Sequence, residues 1–456
     1  MVQVSPTDRS YLVPGVSSGR GSGFNRVRST VAAVPKSQRL RMRTLSLAVL
    51  SSLSLLACNG SNRTPDANPD PDPTPVKLGD PLPGLTADEL AAFERGKILF
   101  KKRFAPSQGL GPLFNATSCE SCHSKPVMGG SADLYRNFYV ASIGVPPFQS
   151  NLPGLPSQVI PAFGTQDTPL FSLEGQRVEM VQTFEGSPVQ SAQRNSVPLF
   201  GVGLFEFISN ATILANVDPE DANADGISGR HGGDAAGLGR FGQKSQSNNI
   251  EFFTRAPLKN QMGITSNPFM GVAGTVSLAH GMAPQGSGTP NASTTDNDGI
   301  PDPEITSQDL GDLIAFSRFL APPQAQPLDA AGKRGEATFA SIGCVKCHIP
   351  ELQSSRGPVR AFSDLLLHDM GPELADNINF GIAQASPSSP VHTGSEFRTM
   401  PLWGASKFGP HLHDGRAATL DEAIRLHGGE AAAIRDAYVA LSEADREDVL
   451  TFLRSL

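Results

Sequence analysis

Cys119-Glu120-Ser121-Cys122-His123 sets two thiols three positions apart with an imidazole directly after the second, and Cys344-Val345-Lys346-Cys347-His348 repeats the pattern. Cys-x-x-Cys-His attaches a c-type haem: the thiols form thioether bonds to its vinyl groups, and the adjacent His supplies an axial nitrogen to iron. Two copies imply two covalently held irons, and electron movement as the central activity. A zinc ribbon would set its Cys pairs roughly 15–20 residues apart, whereas these lie more than two hundred apart. A thioredoxin-like dithiol needs no His after its second Cys. The chain has five Cys, and the fifth is Cys58. Nothing is left for a disulfide framework or a catalytic thiol.

The 456 residues suffice for two or three domains, and 39% hydrophobic content suffices for their cores. The 46 Gly and 38 Pro predict long irregular loops around few regular elements. One Trp and four Tyr give no sign of aromatic recognition of nucleic acid.

The N-terminal part reads as an export signal. Arg39, Arg41 and Arg43 precede an apolar run from Leu45 to Ala57, too short for a permanent span. The run ends Leu55-Leu56-Ala57-Cys58, which resembles a bacterial lipobox with Cys58 as the acylated residue; Met42 is an alternative start. An ordinary cleaved signal with Cys58 incidental is the competing reading. Asn59 after Cys58, by resemblance to lipoprotein sorting, favours the outer over the inner membrane of the cell envelope, with the protein facing the periplasm. Residues 1–57 hold eight Lys/Arg and one Asp, so the remainder carries 29 basic against 43 acidic side chains, a net charge of −14. Such a surface repels nucleic acid and anionic lipid, so membrane contact is expected through the lipid anchor only. It attracts basic partners, a small basic cytochrome as electron donor among them. Residues 58–79, rich in Pro, Asp and Asn, cannot bury enough apolar surface to fold and read as an extended tether.

The pieces around each motif recur in one order. Thr86-Ala-Asp-Glu89 is a capping-box start for a helix with Leu90, Phe93, Phe100 and Phe104 on one face. Leu328–Phe339 is similarly helical, and Arg95-Gly96 with Phe100 matches Arg334-Gly335 with Phe339. Thr306-x-x-Asp309 opens a closing helix with Leu310, Leu313 and Ile314 inward; Ser442-x-x-Asp445 opens another with Val449, Phe452, Leu453 and Leu456. Arg194-x-x-x-Pro198-Leu199-Phe200-Gly201 echoes Arg398-x-x-Pro401-Leu402-Trp403-Gly404. Helix, motif, loops and closing helix is the order of a small cytochrome c domain. The expected fold is therefore mainly α with long irregular loops, two tandem cytochrome c-like domains at 80–321 and 327–456. The first is enlarged by insertions.

Gly109-Leu-Gly-Pro-Leu-Phe-Asn-Ala-Thr-Ser-Cys119, Asp225-Gly-Ile-Ser-Gly-Arg230, Leu367-His-Asp-Met-Gly-Pro372 and His413-Asp-Gly-Arg-Ala-Ala-Thr-Leu-Asp-Glu-Ala423, leading into His427-Gly-Gly, resemble the bacterial dihaem oxidoreductase family. Its members are exported proteins related to dihaem cytochrome c peroxidases. The resemblance covers nearly everything from about residue 80 to 456 and implies fold and cofactor more firmly than substrate. In dihaem peroxidases a similar His-Asp-Gly stretch and helix deliver a Met ligand; counting fourteen residues on from His413 arrives at His427. A His in place of Met lowers the potential.

His123 and His348 are the expected proximal ligands, and His427 the expected sixth ligand of the second iron. A surface His at a helix end, favoured by the dipole, is the plain alternative for His427. His368 is its rival as ligand, or a packed His bonded to backbone. His413 is expected near the iron without ligating it. No His follows His123 within a hundred residues. His231, His280, Met128 and Met282 sit in Gly-rich loops, so the first iron is expected to keep an open position for substrate. Glu206, in Leu204-Phe-Glu-Phe-Ile208, is an isolated carboxylate in an apolar run; burial would raise its pKa and suit it to proton transfer. A solvent-facing Glu206 is the alternative. Trp403 is a candidate electron relay or a plain core aromatic, and Arg194 and Arg398 are candidates for haem propionates or surface caps.

Two acidic loops suggest calcium: Asp221-x-Asn223-x-Asp225-Gly226, which lacks an acid at the twelfth position, and Asp296-Asn-Asp298-Gly-Ile-Pro-Asp302. Ordinary Asx turns are the competing reading. Together these features predict an exported dihaem oxidoreductase that reduces a small oxidant such as hydrogen peroxide at the first haem. A non-catalytic dihaem electron carrier is the alternative.

Overall fold

The computed structural model of the chain describes residues 76–456 apart from 147, 154, 156, 165–182, 235–236, 268–295, 297, 380–381 and 384–393. The leader, Cys58, the tether up to residue 75, His280, Met282 and His392 lie outside the described residues. The helices are α1 (Ala87–Lys101), α2 (Asn210–Leu214), α3 (Ile250–Met262), α4 (Ser307–Phe319), α5 (Ala330–Ser341), α6 (Leu420–Arg425), α7 (Ala432–Ala440) and α8 (Glu443–Ser455). None of the described helices is long and apolar enough to cross a membrane.

The repeated Arg-Gly pairs mark two equivalent helix crossings. A Cβ on Gly96 of α1 would stand 1.9 Å from the Asp312 carbonyl oxygen of α4, and one on Gly335 of α5 would stand 1.9 Å from that of Asp448 in α8. Only glycine lets the backbones approach so closely. The preceding arginine fastens each crossing with two charge-assisted bonds: Arg95 to Asp312 at 2.8 and 2.8 Å, Arg334 to Asp448 at 2.7 and 2.9 Å. One turn on, Phe100 packs on Phe316 at 4.7 Å and Phe339 on Phe452 at 5.4 Å. Thr86 closes the capping box with Glu89 at the start of α1. Leu90 departs from the expected inward face: it is exposed, and Ala92, Phe93, Gly96 and Phe100 are the buried residues.

The expectation of a mainly α fold is corrected by the sheets. The insertion in the first half forms an antiparallel five-stranded sheet centred on Phe138–Val145, which pairs with Ser187–Arg194 along most of its length. Val140 and Ala141 are fully buried there, and Leu152, Ile160 and Val189 cluster with Ala141. Aromatic and β-branched residues in 138–145 suit a pleated, half-buried surface.

Residues 80–321 and 327–456 also share structure. The largest core cluster runs from Phe93, Phe100 and Phe316 to Leu352, Leu366, Trp403 and Phe408. Short strands join across the halves, Gly232–Asp234 with Ile382–Ala383, and a bridge links Arg230 to Leu367. A second cluster around Phe339, Phe362, Tyr438 and Phe452 belongs to the second half alone.

Candidate functional site

Each Cys-x-x-Cys-His motif forms a tight 3-10 turn beside its helix crossing, Cys119–Ser121 and Cys344–Lys346. Ser118 caps the first turn by accepting the Ser121 N–H; Gly343, in the left-handed region, enters the second. Burial pushes the Cys119 thiol up to about 12 and the Cys344 thiol up to about 12, and raises that of Cys122 against the pull of Arg136. These thiols are protonated at neutral pH.

The two motif imidazoles are held alike. His123 Nδ1 lies 3.0 Å from the Gly130 carbonyl oxygen and His348 Nδ1 lies 2.8 Å from that of Phe362. Phe362 adopts a left-handed φ of 52° to present that carbonyl, an unusual posture for an aromatic residue. Phe100 and Phe339 flank the rings at 6.1 and 6.3 Å. Burial lowers the His123 pKa and brings that of His348 down to about 4. A neutral imidazole that donates through Nδ1 leaves the Nε2 lone pair for a metal.

His427 follows α6 and shares this posture: its Nδ1 lies 2.7 Å from the Ala423 carbonyl oxygen, and burial lowers its pKa. It stands close enough to His348 to help hold that pKa down. His348 and His427 are thus within electrostatic range of each other, and His427 is half-buried rather than at a solvated helix end. His368 has no lone pair to offer. Its Nε2 lies 2.8 Å from Asp364 and its Nδ1 3.0 Å from Glu430, both carboxylates. Burial opposes its charge, yet Asp364 and the other partners raise its pKa well above the usual value. It is an ion-paired imidazolium, not the rival ligand or the backbone-bonded His that the sequence suggests.

The halves hold a further repeat that sequence reading missed. A Phe241–Ser247 bridge closes one loop before the Asn249 cap of α3, and a His411–Ala417 bridge closes another before the Thr419 cap of α6. Each loop bonds to the other half: Asn195 N donates to the His413 carbonyl, and Arg398 N to that of Gln243, both at 2.8 Å. Aligning these landmarks sets Gln243 against His413 and Pro257 against His427. Pro257, inside α3, carries no metal-donor atom. Met128 is packed in the core, and His231 Nδ1 faces the Gly232 carbonyl at 3.3 Å.

Glu206 is not isolated. It sits on the 3-10 turn Val202–Phe207, buried, with Oε2 accepting from Arg318 Nε at 2.7 Å and Oε1 from Ile250 N at 2.8 Å. It fastens α4 and the start of α3. His413 stacks on Phe397 at 4.2 Å, with its pKa brought down to about 4 by burial and by Arg194. Arg194 pairs with Asp376 and, at 2.5 Å, with Gln243. Arg398 is buried and donates to the Gly242 and Thr399 carbonyls and Met400 Sδ, with no carboxylate in ion-pair contact among the described residues; burial brings its pKa down to about 10 against the pull of Asp364. Trp403 stacks on Phe205 at 5.6 Å, a contact between the halves.

In the first acidic loop the carboxylates accept from backbone N–H groups, Asp221 from Asp225 and Gly226, as in Asx turns. In the second, Asp296, Asp302 and Glu304 bring ligand oxygens within 4.8 Å of one another. Lys259 already bonds Asp296 at 2.8 Å, and the Thr265 hydroxyl donates to Asp302 at 2.5 Å.

The residues present suit a haem. Three neutral imidazoles are pinned through Nδ1, and Arg398 is a buried cation with no carboxylate in ion-pair contact among the described residues. Arg136, which acts on Cys122, has a buried Nε without a hydrogen-bond partner and lines a cavity of about 260 Å³ with Arg103 and Ser121. Carboxylates such as propionates match both arginines.

Duplicated Cys-Cys-His turns, each beside an Arg-Gly helix crossing, define a protein built around two related cofactor sites. The chain belongs to the di-haem oxidoreductase family: the model described as "Di-haem oxidoreductase, putative peroxidase" matches residues 158–456. Membership implies haem cofactors. The match takes in the second motif and begins after the first. The methylamine utilization protein MauG of Methylorubrum extorquens is 27% identical over 161 residues, 32% of this chain and 42% of that protein. The chain thus matches less than half the length of this curated relative. Among solved structures, the diheme peroxidase BthA of Burkholderia thailandensis is 16% identical with a TM-score of 0.38, over 84% of this chain and 89% of that one. Hydrazine synthase of Kuenenia stuttgartiensis is 22% identical with a TM-score of 0.24, over 33% and 56%.

Proposed function

We propose that this chain is an exported c-type dihaem oxidoreductase that takes electrons from a small redox protein and reduces a small oxidant, hydrogen peroxide being the type case, at its first site. Cys119 and Cys122, and Cys344 and Cys347, attach one haem each. His123 and His348 would each hold an iron through Nε2, and His427 would add a second imidazole at the second site alone. Haem held by these residues would supply one-electron storage at each site and, at the site with the single imidazole, the chemistry that reduces a small oxidant such as peroxide.

The observation that carries this reading is the repeat that sets Pro257 against His427. One half of a duplicated arrangement offers an imidazole, and the other offers no donor at the matching position. Arg398 and Arg136 would neutralise propionates in surroundings where an unpaired carboxylate is costly. Glu206 is fastened to Arg318 and Ile250, so no proton step is routed through it. The net charge of −14 beyond residue 57 favours a basic donor. Export through residues 1–57 and acylation at Cys58, with the protein facing the periplasm, belong to the same reading.

The test is peroxide consumption by the haem-loaded protein with a reduced basic c-type cytochrome as donor. Turnover well above that of free haem at equal iron supports the enzyme. Turnover equal to free haem, with ready electron exchange, would make the chain an electron carrier.

A further inference from the structure

We propose that Glu430 is the positioning residue for His427. It fastens the turn carrying that imidazole to the segment behind Cys347, so that the ring stands at a set height opposite His348. This rests on the reading of His427 as second ligand at the second site, and it adds what holds the ligand there.

His427 leads straight into Gly428, Gly429 and Glu430, the last two in the 3-10 turn Gly429–Ala431. The Glu430 carboxylate accepts four bonds. Oε1 takes the Ser228 hydroxyl at 2.5 Å and Asp369 N at 3.2 Å; Oε2 takes Ser228 N and His368 Nδ1, each at 3.0 Å. Burial works against its charge, yet His368 and Ser228 hold its pKa down to about 2. A fully bonded carboxylate between three chain segments is a fastener rather than a proton donor.

The fastening continues to the other side of the site. His368 passes from Glu430 to Asp364, and Asp364 N donates to the Cys347 carbonyl at 3.0 Å. The distal turn and the thiol-bearing turn are thus tied through three side chains, Glu430, His368 and Asp364.

The two glycines make the docking possible. A Cβ on Gly429 would stand 2.0 Å from the Asp369 carbonyl oxygen, and one on Gly428 would stand 2.8 Å from that of Met370. Gly371 is equally tight, 2.7 Å from Gly429 N. The His427 turn therefore lies backbone to backbone on 369–371, and Glu430 is the side chain that locks it. Arg435 Nη1 adds one bond to the His427 carbonyl at 3.0 Å.

The test uses the haem-loaded ferric protein and reads the low-spin signal of the second iron by electron paramagnetic resonance and absorption. His427→Ala is the reference, losing that signal and regaining it with added imidazole. Glu430→Ala and Gly429→Ala are expected to lose most of it as well, with recovery in imidazole, although His427 is present. Glu430→Gln, which keeps the shape and one acceptor oxygen, should retain most of the signal. Ser228→Ala removes one hydroxyl donor only, and is expected to let imidazole displace His427 at lower concentration than in the wild type. If Glu430→Ala and Gly429→Ala load haem with an unchanged signal while His427→Ala loses it, positioning by Glu430 is wrong and the ligand assignment stands. If those two do not load haem, an unchanged imidazole affinity in Ser228→Ala refutes the positioning role. An unchanged signal in His427→Ala overturns the ligand assignment itself.

Discussion

Gly335→Ala is expected to destabilise the protein, whereas Gly332→Ala, one turn earlier on the same helix, is expected to be neutral or stabilising. Both substitutions gain about 1 kcal/mol of intrinsic helix preference. They differ in what the new methyl meets. At Gly335 it would lie 1.9 Å from the Asp448 carbonyl oxygen, 2.4 Å from its carbon and 2.9 Å from Val449 N. All three are backbone atoms, so no rotamer change relieves the clash. α8 must retreat by about 1 Å to restore the 3.0 Å that real Cβ contacts keep. Overpacking of this kind costs about 1–3 kcal/mol, more when backbone must move. At Gly332 the nearest atom is Leu328 Cδ2 at 3.0 Å, the end of a side chain that can turn aside. The helix preference cancels between the two variants, which should therefore differ by about 1–3 kcal/mol. Urea unfolding of the haem-loaded protein, followed by far-ultraviolet circular dichroism, reads the difference. Phe339 on α5 flanks His348, so Gly335→Ala should also perturb the absorption of the second haem, as Gly96→Ala should that of the first. Equal stability of Gly335→Ala and Gly332→Ala would refute the backbone crossing at that glycine.

Mass spectrometry of the mature protein should show two macrocycles bound covalently, and one after Cys344→Ala with Cys347→Ala; unchanged haem content in that variant would contradict attachment at the second motif. Glu206→Gln should lower stability by about 3–5 kcal/mol, because it takes the negative charge out of a buried ion pair with Arg318; peroxide turnover per folded molecule should persist, and its selective loss would restore Glu206 as a catalytic group. Burial, with Asp296 and Asp298 adding to it, raises the Glu304 pKa to about 7. A carboxyl raised from 4.5 in this way favours folding most below 4.5, and that contribution is lost as pH rises through about 7. Glu304→Gln should therefore melt higher than wild type at pH 8 and match it near pH 4.5, by calorimetry; an equal gain at both pH values would place the effect elsewhere.

The duplicated helix crossings were legible because their chemistry is local. Arg, Gly and Phe lie within one helix, and each has a reason to recur at that spacing. The five-stranded sheet was hidden by its context: Phe138–Val145 has strand composition but stands among Gly, Pro and Asn, and its partner lies more than forty residues on. The strands that join the halves are two or three residues long, too short for any period to register. Glu206 stood out as a carboxylate in an apolar run, which signals burial, but Arg318 lies 112 residues away and no local pattern announces it. His368 gave the same difficulty, since Glu430 is 62 residues distant. Glu430 itself was within reach: it is the next residue after His427-Gly-Gly, and an acid following two glycines deserves a partner search. The match of Pro257 to His427 required the bridges and caps of the two loops, because Phe241-Gly-Gln-Lys and His411-Leu-His-Asp share no residue.

The proposed ligand sets, two imidazoles for one iron and a single imidazole for the other, are the central claim. Electron paramagnetic resonance of the ferric, haem-loaded protein counts them directly. The expected spectrum holds high-spin and low-spin iron in equal amounts, with only the high-spin component altered by cyanide at low concentration. Two low-spin irons would contradict it, as would two high-spin irons.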